Sequence, residues 1–405
     1  MYVFFLTLSG IAIFGGGFMN MTIFGIPITY ITIGCVGVSY INYFILKKKP
    51  LIGNESHVFL WLFEAYAIIM VIFSFLGLNK LYISQNLFFS SSYIFRQSYY
   101  LFMLPAIILL NDEQYTRKIR LIIKKYGNIL FYIIYLSHII VEGKISIGVP
   151  TEMLLAWLTF YTNKPKLTKS FLIKSIFLLT TPISVGGELT NLLIRLIYFT
   201  LFIIFTYYKQ HVIKICSIII KLFGIIVVGI YILPLFDQFF TTVFDANSFW
   251  RLSYWKDELT ELAKTLFFGV GYGTSYASLS FVGKISSVVG GPFGADYQYT
   301  TIDKMFIVGP HNSFISIAFR LGWIGVICFV MYIFKNYKHL LKNENTTPCS
   351  YYAFFSCLII IAVNVGLESP FYLMLFILGM GVYNDIKEND NLGGKKKCLV
   401  SAERH

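Results

Sequence analysis

Long apolar runs, separated by short polar stretches, fill the chain up to about residue 235. From 236 to 310 the pattern changes, and Gly, Asp, Lys, Tyr and Ser become frequent. Apolar sequence resumes at His311. A straight transmembrane helix needs about 20 apolar residues. On that scale the pattern predicts spans near 2–18, 23–46, 57–77, 87–110, 127–141, 145–160, 170–186, 188–207, 212–235, 311–334, 351–365 and 367–383. The first run lacks a basic flank and reads as a retained span. The prediction is an all-α polytopic membrane protein with about 12 transmembrane helices. Helices 1–9 occupy 1–235, a large extracytoplasmic loop 236–310, helices 10–12 residues 311–383, and a basic cytoplasmic tail 384–405.

Composition supports this class. Of the 405 residues, 57% are apolar and 13% charged, where a soluble domain has about 25% charged. The net charge of +13 is spread over short loops rather than clustered on one basic face, so no nucleic acid is expected. The distribution instead sets topology. With both termini in the cytoplasm, 23 of the 33 Lys and Arg fall on the inner side and seven on the outer, as the positive-inside rule requires. The six Cys are scattered without a CxxC pair, which argues against a disulfide framework or zinc site. No metal and no cofactor are expected.

Arg96, Arg195 and Arg320 fall inside predicted spans. A charge at the bilayer centre costs about 2.5–3.5 kcal/mol, so each needs a cavity or a partner. Glu188, Asn191, Arg195 and Tyr198 are spaced to share one helix face. That face would either line a hydrated pocket or tie helices together. Arg96, with Ser92 and Tyr99 at similar spacing, reads as pocket-lining or as a packing anchor. Arg320 lies nine residues after His311, on the opposite side of a helix, and reads as structural. Glu368 falls at the outer end between the last two spans, as a pocket residue or a cap.

The loop carries an amphipathic helix near 250–267. Leu252, Trp255, Leu259, Leu262 and Leu266 form its apolar stripe, with Lys256, Asp257, Glu261 and Lys264 opposite. It would lie on the membrane face or roof a cavity between spans. Phe268-Gly-Val-Gly-Tyr-Gly273 follows no strand and lacks the Lys-Ser/Thr of a phosphate loop, so it reads as a tight turn. Residues 283–300 read as a lid or glycan-binding surface. His311 follows Gly309-Pro310, which places it in the first turn of the next helix. There it would act as a proton acceptor or as a capping side chain.

These elements, in this order, resemble the O-antigen polymerase and O-antigen ligase superfamily of bacterial membrane glycosyltransferases, the Wzy/WaaL type. The resemblance rests on Arg251 opening a Trp-containing amphipathic segment, on Gly-Val-Gly-Tyr-Gly at 269–273, and on His311-Asn312 followed by Leu321-Gly-Trp-Ile-Gly325. It implies transfer of a glycan from undecaprenyl pyrophosphate at the outer leaflet of the bacterial cytoplasmic membrane. Implied roles follow. His311 would activate the acceptor hydroxyl, and Arg251 would hold the diphosphate, a task that suits a bidentate guanidinium. Arg195 is the candidate second diphosphate ligand, with Glu188, Asn191, Arg96 and Glu368 lining the pocket. One departure stands out: the family's Ser-x-Arg-like element is replaced here by Gly186-Gly-Glu-Leu-Thr190.

The sequence therefore predicts a polymerase of O-antigen or capsular repeat units, acting with membrane lipid and a chain-length regulator as partners. A ligase acting on lipid A core is the alternative in the same class. A flippase is the alternative of another class, disfavoured by the long polar loop and by the lack of an inverted repeat.

Overall fold

A computed structural model describes residues 21–46, 55–142, 148–162, 168–182, 188–208, 246–265, 268–286, 302–342, 347–364 and 366–382, with isolated positions at 10 and between 211 and 225. The described chain is almost entirely helical. A two-residue hairpin, Thr22–Ile23 paired with Ile26–Pro27, leads into α1 (Ile28–Tyr40). Then come α2 (Glu55–Phe75), α3 (Ile94–Ser98), α4 (Ala106–Asn111), α5 (Glu113–Glu142), α6 (Val149–Thr162), α7 (Lys169–Thr180) and α8 (Glu188–Tyr207). The second half holds α9 (Ala246–Lys264), α10 (Leu279–Ser286), α11 (Ile302–Ile307), α12 (Ser313–Lys342), α13 (Pro348–Val363) and α14 (Pro370–Val382).

Five stretches among the described residues are long and apolar enough to cross a membrane: 28–45, 55–75, 91–111, 190–207 and 313–342. Helices 348–363 and 372–381 are shorter but equally apolar. This is a polytopic helical membrane protein. Many of its exposed side chains are Ile, Leu and Phe, as on α2, where Leu62, Ile69, Ile72 and Phe75 face outward. In lipid such a surface carries no penalty, and buried aromatics supply the packing. Phe329 of α12 meets Phe63 of α2 at 5.4 Å, Phe314 at 5.9 Å and Phe376 of α14 at 6.0 Å. Around α13, Tyr352 packs on Phe160 of α6 and Tyr198 of α8.

Three expectations are corrected. The run 87–110 is not one helix but a series of short turns ending in α4. Pro105 interrupts it, and its polar side chains bind a distant loop. The basic stretch 113–125, read as an inner loop, is the first part of the 30-residue α5. The helix expected at 311–334 begins at Ser313, extends to Lys342 and breaks at Gly322 (φ 63°, ψ −164°). That conformation is essentially restricted to glycine. Most of the span near 212–235 lies outside the described residues.

Candidate active site

The amphipathic helix α9 forms where its periodicity predicts. Leu252, Trp255 and Leu262 are buried, and Leu259 is half-buried. Part of its opposite side is enclosed as well, although Thr260, Ala263 and Lys264 stay exposed. Glu261 is only 2% exposed. It accepts from Ser84 and from Lys264 at 2.6 Å. Asp257 accepts from the backbone and hydroxyl of Ser278 at 3.0 and 2.6 Å. The helix is thus tied by Glu261 and Asp257 to neighbouring turns and lies across α12, with a narrow exposed strip at Thr260, Ala263 and Lys264.

The glycine turn packs into the break in α12. Gly269, Gly271 and Gly273 all take positive φ (91°, 74° and 75°). The amides of Val270 and Gly271 donate to the carbonyls of Phe319 and Arg320 at 2.7 and 3.1 Å, beside the interruption at Gly322. The approach is so close that a Cβ on Gly269 would stand 2.6 Å from the Arg320 carbonyl oxygen and 2.5 Å from the Gly322 nitrogen. Arg320 completes the joint. Its Nη1 donates to the carbonyls of Gly271 and Thr274 at 3.0 and 2.7 Å, and its guanidinium lies 3.9 Å from the Tyr276 ring centre. The structural role expected for Arg320 is therefore specific: it holds the turn.

Further residues of this joint escaped the sequence reading. Asn79 donates to the carbonyls of Val270 and Tyr272 at 3.3 and 3.2 Å. Ser74 accepts from the Tyr272 amide at 2.8 Å. Gln97 accepts from the Gly273 amide at 2.7 Å and donates to the carbonyls of Thr274 and Phe306. Tyr100 and Tyr272 share a hydroxyl hydrogen bond of 2.7 Å. The available signal was a set of lone amides and hydroxyls at the ends of apolar runs, where an unsatisfied polar group is costly.

His311 stands directly before α12, not in its first turn. Asn312 is the N-cap: its Oδ1 accepts from the amides of Phe314 and Ile315 at 3.0 and 3.1 Å. His311 takes a left-handed conformation (φ 55°), an uncommon state for a non-glycine residue. Burial, together with the positive charge of Arg251, holds its imidazole down to about 4. Arg251 also acts on Tyr372 of α14. Glu368, half-buried, accepts from Ser313 at 3.1 Å, and burial pushes its carboxyl up. Glu258, on the same side of α9 as Arg251 and fully buried, is also pushed up by burial and partly offset by Arg320. The arrangement joins an unprotonated imidazole to a guanidinium, with carboxyls nearby. It can accept a proton and stabilise an anion at one place.

The other candidates are placed elsewhere. Arg195 is engaged by Glu152 of α6, through Nε to Oε1 at 2.8 Å and Nη2 to Oε2 at 3.2 Å. Tyr198 is buried and bonded to Ser175 at 2.6 Å, and Asn191 is fully buried. This face of α8 packs against α6 and α13, so the hydrated pocket is corrected to a helix-joining contact. Glu188 opens α8, and its side chain lies outside the described residues, as do 183–187. Arg96 is exposed on the short α3, near Tyr93 and Tyr99. Of the stretch 283–300, residues 283–286 belong to α10 and the remainder lies outside the described residues. Among the described residues, no three His, Cys, Asp or Glu side chains gather in a way that could hold a metal ion.

Residues 175–330 match a family model described as O-antigen ligase. The match runs from within α7 into α12 and takes in Arg251, the glycine turn and His311. No curated protein matches the chain.

Proposed function

From the premise that the chain belongs to the Wzy/WaaL O-antigen ligase superfamily, we propose that it polymerises O-antigen or capsular repeat units. It transfers the growing glycan from undecaprenyl pyrophosphate to the next lipid-linked unit. In this reading the chain crosses the bacterial cytoplasmic membrane about 12 times with both ends inside, and the 236–310 loop faces outward. The observation that carries the proposal is His311 beside Arg251, between the loop helix and the start of α12.

Each group has a task in this scheme. His311 takes the proton of the acceptor hydroxyl as its oxygen bonds to the anomeric carbon of the donor. The bond from that carbon to the diphosphate breaks, and the lipid diphosphate leaves with the electron pair. Arg251 stabilises the charge that develops there. At neutral pH this histidine is uncharged, and its value of about 4 also makes it a weak base, so the acceptor proton moves to it as the bond to the anomeric carbon forms rather than beforehand. Arg195 has no part in this scheme, because Glu152 neutralises it.

A glycan ladder tests the proposal. The gene is deleted in its host, and wild type, His311→Ala or Arg251→Ala is restored at matched protein level. The expected result is long ladders with wild type and a single repeat unit with either variant. Full ladders with His311→Ala would remove the histidine from the chemistry. The description of the matched family favours one second reading, a ligase. Long chains retained on the lipid carrier after deletion, with none on lipid A, would establish it.

A further inference from the structure

One helix presents the arginine and also grips the backbone that carries the histidine. Arg251 and Trp255 are four residues apart on α9, so their side chains leave the same face. Trp255 is buried, and its Nε1 donates to the carbonyl of Pro310, the residue immediately before His311. Tyr254, fully buried beside it, donates to the carbonyl of Val308 at 2.8 Å. On the other side of His311, Asn312 is fixed as the N-cap of α12. His311 is thus held from both directions in a left-handed conformation. Such a state persists only where its surroundings over-determine it.

We propose that Trp255, assisted by Tyr254, is a positioning residue that fixes His311 against Arg251 by clamping the Val308–Pro310 backbone to the helix that carries the arginine. The inference rests on the proposed role of His311 as proton acceptor and adds to it the device that sets the acceptor's geometry. Neither side chain needs to touch substrate. The same α9 face continues to Glu258, and α9 is tied to Ser84 through Glu261 and to Ser278 through Asp257. These ties anchor the clamp at its far end. The charged group that acts on His311 is Arg251 on α9; beyond it, Glu258 on α9, Arg320 on α12 and Glu368 before α14 act on one another, and Tyr372 on α14 is within range of Arg251.

The clamp has a consequence that simple structural support lacks. The closeness of Arg251 is one cause of the low His311 value, alongside burial. Loss of the Trp255 bond should let both causes relax, moving the histidine from about 4 towards 6.5. The test uses full-length protein in liposomes, with lipid-diphosphate-linked glycan extracted from the host's own deletion strain as substrate. Transfer is followed from pH 4.5 to 8 for wild type, Trp255→Phe and Tyr254→Phe, with His311→Ala as control. The expected result is an acid limb displaced upward in Trp255→Phe and, by less, in Tyr254→Phe. Turnover should fall several-fold while the Michaelis constant stays nearly constant. If Trp255→Phe does not accumulate, Tyr254→Phe, which removes one hydroxyl, carries the test in the same direction. An unchanged pH profile in the accumulating variants overturns the clamp, even if activity is low. Transfer by His311→Ala overturns the underlying role of the histidine instead, so the two failures are distinguishable.

Discussion

Two arginines sit in apolar surroundings here, Arg320 buried and Arg195 half-buried, and the regions around them treat the charge in different ways. In the layer of α6, α8 and α13, Arg195 meets Glu152 in a two-pronged ion pair. At the joint between α12 and the glycine turn, Arg320 makes no such carboxylate bond among the described residues. It spends Nη1 on two backbone carbonyls of the glycine turn and stacks on Tyr276. An ion pair cancels charge and joins two helices, leaving little for a substrate. Backbone carbonyls carry no net charge, so Arg320 fastens the glycine turn to α12 without a direct carboxylate bond, while Glu258 and Glu368 act on it only at longer range. The comparison separates two jobs for an arginine in a membrane protein, joining helices and shaping a site. Position along a helix does not distinguish them.

The sharpest way to break the comparison is to strand one partner. Glu152→Ala leaves the half-buried Arg195 with only the Leu179 carbonyl at 3.4 Å and should cost about 3 kcal/mol, the low end for a broken buried pair, whereas replacing both residues by Leu and Met should be nearly neutral. Thermal unfolding in detergent measures both. Glycan transfer by the double variant then tests Arg195 directly, since a marked loss of transfer in stable protein would return it to the chemistry. Next is Gly269→Ala. A methyl group there meets the backbone at Arg320 and Gly322, and the positive φ adds strain, for about 3 kcal/mol in all. Loss of ladder length should follow the loss of folded protein.

Arg320→Lys keeps the charge but loses the planar fork, and a single ammonium would serve the two carbonyls poorly. About 2 kcal/mol of stability should go, within the range for hydrogen bonds to charged groups. The smallest effect is Asn312→Ala, the lost helix cap, at about 1 kcal/mol, with Asn312→Asp restoring most of it. If Asn312→Ala abolished transfer at unchanged stability, Asn312 would join the chemistry. Acidification probes the same end of α12. His311 is held below its ordinary value, so the folded state binds fewer protons than the unfolded state between about pH 6.5 and 4. Stability should therefore decline as pH falls through that window. His311→Gln should flatten this part of a denaturation series.

The helical membrane class, the existence and apolar stripe of α9 (though not its ends, Ala246–Lys264 against the expected 250–267) and the turn at 268–273 follow from composition, periodicity and glycine spacing alone. All three are local properties: a run length, a 3.6-residue period, and residues that tolerate positive φ. His311 and Arg251 were singled out through the family resemblance; their positions alone left a capping histidine and a solvated arginine open. The identity of α12 as a broken helix was not legible, although Gly322 was in plain view. The break is satisfied by amides from a turn some fifty residues earlier. That turn is held in place by Gln97, which lies 176 residues from Gly273. No local pattern encodes a contact at that distance. The same limit applied to Arg195. Its face on α8 could be read correctly, but whether that face met water or Glu152 depended on which helix packed against it. The sequence by itself determined which residues carry charge and which segments are helical. Only the tertiary structure decided which charges meet a carboxylate and which meet backbone carbonyls, because that depends on partners brought together from distant parts of the chain.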